Sequence, residues 1–274
     1  MAGRSRIAGP FVAVSMLLML ACGSAGASGD LYQAKTIVTG EGEENRRAGF
    51  ATALEAVLVK VSGDPRLPGE PAVSALAGQA ESFVADFRYR DRMEGIPVHD
   101  EQGTRDRPFD LTADFIPAKV NAALRSLGRE PWTAPRPRIV ILLGVRNGAT
   151  AYSLARDGER GRDLREALAA AAERFGLAVS LPSRAMLAEA GVDADTAPAD
   201  FADLGAPAKA ARGDVALAGS LVWSNEALGW IADWRLDFHG ESHRWNVGGI
   251  SFDAAFRNGL GGAAQVLSGH GAPE

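Results

Sequence analysis

Residues 46–67 read RRAGFATALEAVLVKVSGDPRL, and the reading of this stretch decides the architecture of the chain. Phe50, Leu54, Val57, Leu58 and Val61 recur at helical spacing with Ala53 between them, which makes one apolar stripe. Arg46, Arg47, Glu55 and Lys60 fall largely off that stripe. Gly63 follows the last apolar residue, where a left-handed closing position wants glycine, and Pro65 forbids continuation. The stretch is therefore an amphipathic helix with a defined stop. Its stripe needs a sheet or another helix to cover it, so its role is architectural rather than chemical.

The neighbouring segments supply that cover. Leu31 to Val38 is an expected strand with Tyr32, Ala34, Thr36 and Val38 on one face, and TGEGEEN leads from it into the helix. Pro71 opens a second helix carrying Val73, Leu76, Ala77, Ala80, Phe83 and Val84. FRYR at 87–90 reads as extended, and a polar turn region runs from Met93 to Arg107. Phe109, Leu111, Ala113 and Phe115 then alternate with Asp110, Thr112 and Asp114, a half-buried strand. Pro117 begins a short helix with Val120, Leu124 and Leu127, closed by Gly128. Residues 28–128 make a first α/β module. REPWTAPRP at 129–137 holds three prolines and reads as a stiff connector, with Trp132 a plug against one module.

Residues 138–267 make a second module. The unbroken apolar run Ile139 to Leu143 suits a strand buried on both faces. Asp163 to Phe175 is an expected helix ended by Gly176, Leu177 to Leu181 a short strand, and Ser183–Ala190 and Phe201–Ala211 helical pieces. Val215, Leu217, Leu221 and Trp223 share parity on one strand. Leu228, Trp230, Ala232, Trp234, Leu236 and Phe238 share it on the next, which leaves Asp233, Arg235 and Asp237 facing water. Trp245 and Val247 suggest a third strand. A last helix from Phe252 to Leu267 is weakened by Gly259, Gly261 and Gly262, and residues 268–274 are expected to be a flexible tail. The fold class is α/β with mixed α+β character: two tandem modules, each a small mixed or antiparallel sheet covered by helices.

Residues 1–27 have the three parts of a secretory leader: Arg4 and Arg6, a largely apolar run from Ile7 to Ala21, and Ala25-Gly26-Ala27 as a cleavage site. The run is too short for a spanning helix of roughly 20 residues. The single cysteine, Cys22, lies inside this leader. It is either lost on cleavage, the simpler reading, or diacylated at the imperfect lipoprotein box Met19-Leu20-Ala21-Cys22. Without it the chain has no thiol for disulfides, catalysis or metal, so the 46% of apolar residues must stabilise the fold. Losing Arg4 and Arg6 lowers the formal charge of −5 by two, and an acidic chain with dispersed basic residues gives no support for nucleic acid as a partner. The expected location is the periplasm, either free or lipid-anchored through Cys22.

Catalytic patterns are mostly missing. The chain has no G-x-S-x-G elbow, S-x-x-K, H-E-x-x-H or phosphate loop, and Gly40-Glu41-Gly42 is a turn whose acids would repel a pyrophosphate. No cofactor is expected. His239, Glu241 and His243 could hold a metal across a hairpin, although polar residues at an exposed turn explain them more simply. Trp223, Trp230, Trp234 and Trp245 cluster in the last strands and could stack on the rings of peptidoglycan or another polysaccharide; the parity of Trp230 and Trp234 with Leu228, Leu236 and Phe238 favours core packing. Arg156, Arg160, Arg162 and Arg165 could bind an anion, but interleaved acids favour a solvated face. Asp110, Asp114 and Asp233 are the carboxylates that a hydrolase of envelope polymer would use in pairs.

LYQAKTIVTG, ALEAVLVKVSGDPRL, FRYR, REPW, PRPRIVILLGV, GDVALAGSLVW, GWIADWRL and the closing Trp245-x-Val247-x-Gly249, taken together, resemble the bacterial family known as domain of unknown function 2066. That resemblance implies an exported protein of unassigned activity and carries over no catalytic residue. In element order alone, the chain is similar to the TolB amino-terminal domain, the curli secretion lipoprotein and the activator lipoproteins of penicillin-binding proteins. The expected role is that of a non-enzymatic envelope protein that binds or helps assemble another envelope protein or component. A hydrolase and a saccharide-binding module are the alternatives.

Overall fold

The structure, a computed structural model, describes residues 31–96, 107–193, 195, 200, 201 and 203–273. The leader with Cys22 and most of the turn region before Arg107 lie outside the described residues. Strands β1 (Gln33–Thr39), β2 (Val84–Asp91) and β3 (Pro108–Phe115) form an antiparallel sheet ordered β1-β3-β2. The alternation read in β3 is realised: Leu111, Ala113 and Phe115 are buried, in register with Thr36 and Ala34 of β1 and with Tyr89, Phe87 and Val84 of β2. Helix α1 (Glu43–Ser62) lies on this face and buries Phe50, Ala53, Leu54, Val57, Leu58 and Val61. Gly63 closes it at φ 77°, with its N–H on the carbonyl of Val59.

Two local expectations change here. Lys60, expected on a polar face, is buried, because the second half of α1 is covered from both sides; its Nζ donates to the carbonyl of Gln33 at 2.9 Å. The helix expected from Pro71 to Val84 breaks at Gly78: α2 (Pro71–Ala77) ends there, one 3₁₀ turn spans Ala80–Phe83, and Val84 joins β2. Helix α3 (Pro117–Ser126) then buries Val120 and Leu124.

The second sheet is mixed and six-stranded. It comprises β4 (Ile139–Asn147), β5 (Thr150–Ser153), β6 (Val179–Ser180), β7 (Val215–Ser224), β8 (Gly229–Phe238) and β9 (Glu241–Ile250). The order is β5-β4-β7-β8-β9, with β6 beside the first residues of β4. β4 runs parallel to β6 and β7, and its apolar run divides between two cores. Ile139, Ile141, Leu143 and Val145 join the cluster containing α4 (Arg162–Phe175) and α7 (Phe252–Leu267). Val140 and Leu142 join a smaller cluster with Ala216 and Ala218, closed by Leu187 of α5 (Arg184–Glu189) and Ala208 of α6 (Gly205–Ala210). Burial on both faces is why that run does not alternate.

The glycines of α7 seat the indoles beneath it. A Cβ at Gly259 would lie 2.5 Å from the Trp234 ring, and one at Gly262 would lie 2.6 Å from the Trp245 ring. The helix gives up intrinsic propensity so that two large side chains can lie flat under it.

The larger cluster continues without a break from Val38 and Leu111 through Leu58 and Phe175 to Trp234 and Phe256, so both sheets share it. Two polar groups secure the junction. Arg136 donates to the carbonyls of Lys60 (2.6 Å) and Phe175 (2.7 Å), and so serves the C-termini of both α1 and α4. Its guanidinium lies 4.2 Å from the ring of Trp132, and the backbone N–H of Trp132 donates to the carbonyl of Val61. Burial pulls the Arg136 pKa down to about 10, opposed by Tyr32, and leaves it charged at neutral pH. Asp64 has a fully buried carboxylate that accepts from Arg66 Nε at 2.8 Å and Arg129 Nε at 2.7 Å. Burial alone would raise its pKa; the hydrogen bonds from Arg66 and Arg129 outweigh it and hold the group at about 2. Arg66 also donates to the carbonyl of His270, and Gln265 Nε2 to that of Ala272. Beyond α7, His270 is thus bonded to the loop after α1 and Ala272 back to α7.

Candidate functional site

The site is a cleft of about 320 Å³ where the second sheet extends past the first turns of two helices. Its wall begins at the end of β4, a strand whose parallel neighbour β7 ends on the same side. Open sheets with parallel strands place ligands outside those carboxyl ends. Asn147 closes β4, Gly148 turns the chain at φ 56°, and Thr150 pairs back with Asn147 to start β5. Glycine belongs at that first position of a two-residue hairpin turn. Tyr152 pairs with Val145 and is half-buried. Burial raises its pKa, opposed by Arg160 and Arg165, so the phenol keeps its proton.

Gly161 then reverses the chain at φ 75° into α4. A Cβ there would meet Leu154 at 2.6 Å and the Tyr152 ring at 3.2 Å, so the tyrosine lies over the glycine. Arg162 and Asp163 form the rim, with Arg162 held by Glu166 at 3.0 Å. On the other side stand Trp230 of β8 and Phe252, the first residue of α7. Trp230 is half-buried and stacks edge to face on its register partner Trp223, with ring centres 5.6 Å apart at 78°. The cleft thus joins aromatic surfaces to an amide, hydroxyls, one carboxylate and one guanidinium. A second, larger cavity of about 520 Å³ lies between α5 and α6, next to Met186, Phe201 and Pro207, but the chain around it includes positions outside the described residues.

The four tryptophans share the α7-facing side of the sheet but not its environment. Trp234 and Trp245 are register partners, 2% and 5% exposed, sealed under α7. Trp223 is 36% exposed beside the cleft. Leu228, expected on the buried face, is 82% exposed: it sits at φ 48° in the turn before β8, where strand parity no longer applies. Arg235, expected to face water, is only 9% exposed. Residues near α5 and α6 cover that face, and Arg235 donates to the carbonyl of Phe201 at 2.6 Å and to Asp237.

The histidine pair is not brought together. His239 (φ 51°) and Gly240 (φ 82°) are the two residues of the β8–β9 turn, and both have the positive φ that a type I′ hairpin requires. The His239 ring packs against Phe238, while His243 pairs in register with Leu236 further along the strands and meets Glu241 at 3.8 Å. Among the described residues no group of three or more His, Cys, Asp or Glu could hold a metal ion.

Asp110 and Asp114 lie on the face of the first sheet turned away from α1, with Asp110 bound by Arg90 (2.9 Å) and Arg92 (3.5 Å) and Asp114 by Arg88 (3.1 Å). Asp233 lies in the other sheet, beside Ser220. The two arginines in the first turn of α4 are engaged separately: Arg165 donates to the carbonyls of Ala155 and Arg160, and Arg162 pairs with Glu166.

Asn147, Tyr152 and Phe252 were not singled out by sequence reasoning. The signal for the first two was Asn147-Gly148, a turn-forming dipeptide separated from the apolar run by Gly144, Val145 and Arg146.

Residues 25–133 match the family described as Domain of unknown function (DUF8605). This match covers less than half of the chain and overturns the resemblance to domain of unknown function 2066. The segment that carried most of that resemblance, ALEAVLVKVSGDPRL, encodes an amphipathic helix with a glycine stop. Any helix packed on a small sheet needs those features, so they do not separate one family from another. No curated protein and no solved structure matches the chain. Among the described residues no helix is long and apolar enough to cross a membrane.

Proposed function

We propose that this protein is exported to the cell envelope and acts there as a non-enzymatic binding component, holding another envelope component in the cleft between β4, β8 and the starts of α4 and α7. The observation that carries the reading is the half-buried Trp230, facing a cavity of about 320 Å³ together with Tyr152 and Phe252, while its neighbours Trp234 and Trp245 are sealed in the core. Binding sites are concave and mainly apolar, with a few polar groups that fix orientation, and this cleft has that composition. Export rests on the leader read over residues 1–27. A hydrolase that cleaves glycosidic bonds in the usual way would need two carboxylates around one bond. Asp110 and Asp114 are instead engaged by arginines on the sheet face away from α1, with Asp110 itself buried, and Asp163 is the one carboxylate lining the cleft.

The test is crosslinking in intact cells with a photo-reactive phenylalanine analogue at Thr150 or Leu228, and at Lys35 on the far sheet as a control. The expected result is one envelope component, protein or polymer, captured from Thr150 and Leu228 but not from Lys35. The same products from all three positions, or none from the cleft, would reject the reading.

A further inference from the structure

Resting on that binding reading, we infer that the occupant of the cleft is a pyranose unit of an envelope polysaccharide, seated against Trp230 and hydrogen-bonded by Asn147 and Asp163, with the next unit of the chain passing over Trp223. A pyranose has an apolar C–H face edged by hydroxyls, each both donor and acceptor. Its complement is an aromatic surface edged by planar polar groups. Trp230, Tyr152 and Phe252 provide the surface, and exposed Asn147, Thr150 and Asp163 provide the edge.

Competing occupants fit less well. About 320 Å³ is near the lower end of the roughly 300–1,000 Å³ range of ligand pockets, which suits one or two rings and not the apolar face of a partner helix. A phosphorylated ligand would meet Asp163, and the nearby Arg162 is already paired with Glu166. An acyl chain would leave the amide and hydroxyls of the rim without partners.

The argument for a chain rather than a single sugar comes from what lies beside the cleft. Trp223, near the end of β7, stands edge-on to Trp230 and is itself exposed, and Leu228 projects from the turn that follows. Both lie outside the lining of the cavity and offer exposed apolar surface next to the strand that carries Trp230.

The experiment titrates the folded protein with chitotetraose, cellotetraose and maltotetraose, and with N-acetylglucosamine and glucose, followed by calorimetry and tryptophan emission. At least one tetrasaccharide is expected to bind saturably, with a blue shift in emission. Trp230→Ala is expected to weaken it by about tenfold or more, the loss of roughly 1.4 kcal/mol of contact. Asn147→Ala and Asp163→Asn, both on the exposed rim, are expected to weaken it several-fold without changing the circular dichroism, and they carry the test if Trp230→Ala does not fold. Trp223→Ala should weaken the tetrasaccharide and leave the monosaccharide unaffected. No saturable binding of any tetrasaccharide up to its solubility limit, or binding indifferent to the rim variants, would overturn the inference. If cleft crosslinks persist under that outcome, the binding reading stands with another occupant; if they are absent too, both fall.

Discussion

Asp64 has one of the largest electrostatic perturbations in the fold, and its consequence is a defined acid limit. Its carboxyl titrates at about 2 in the folded chain against an ordinary 3.8, so the folded state binds fewer protons than the unfolded one between those values. The stabilisation is complete above about pH 4 and is lost as pH falls toward 2, and it amounts to about 2 kcal/mol. Asp64→Asn is expected to cost about 3 kcal/mol at pH 7, because Arg129 and Arg66 lose their buried partner, and to flatten the acid side of the stability curve. Urea midpoints at pH 7 and pH 3 read both effects; an equal drop with pH in variant and parent would refute the assignment. None of this was legible in SGDPRL. The sequence offers Asp64 as a turn residue, and only the return of Arg129 from 65 positions away makes it a buried anion. Lys60 and Arg235 were misread for the same reason: parity and periodicity describe one element, whereas burial depends on what another part of the chain lays over it; Leu228 was misread because it lies in a turn, where strand parity stops.

At the scale of elements, α7 sets propensity against packing. Gly259→Ala would add about 1 kcal/mol of helix propensity to an isolated helix. Here the new methyl group would lie 2.5 Å from the Trp234 ring, and that ring has little room to retreat because it also packs over Gly219 of β7, where an added Cβ would likewise fall 2.5 Å from it. Overpacking costs about 1–3 kcal/mol, so the expected net effect is a loss of about 1 kcal/mol with a red shift of tryptophan emission. A more stable variant would mean that the indole has room to move. Helix α1, the alternating β3 and the divided run of β4 were legible because their patterns are long and unbroken. Strand β5 has four residues and no alternation to speak of, and it escaped notice despite the Asn147-Gly148 turn that announces it. With it went Tyr152, and so one wall of the cleft; Trp230 on the opposite wall was named, but its parity favoured the core over a ligand surface.

Over the whole molecule, the continuity of the apolar cluster outweighs the division into two sheets. Leu54 and Trp234 belong to different sheet layers but to the same cluster. Leu54→Ala, at a position with no exposure, is expected to destabilise by about 2–4 kcal/mol. The loss should appear equally in the fluorescence of the second-sheet indoles, Trp234 among them, and in far-ultraviolet circular dichroism, as one cooperative transition. A first transition invisible to those indoles would show that the modules melt separately. The sequence reading placed a boundary at residues 129–137 and described the composition of that segment well. It could not see that helices on either side bury one continuous surface, which depends on contacts between residues far apart in the chain.

The prolines of that segment suggest an exposed strap open to proteases, yet trypsin would find little to cut there. Arg129 is committed to Asp64 and Glu70, and Arg136, clamped on the ends of two helices, is followed by Pro137, a bond trypsin does not hydrolyse. The native chain should therefore survive digestion as a single body, with nicks confined to other surface turns, and the two halves should not be released from one another before the whole fold has opened.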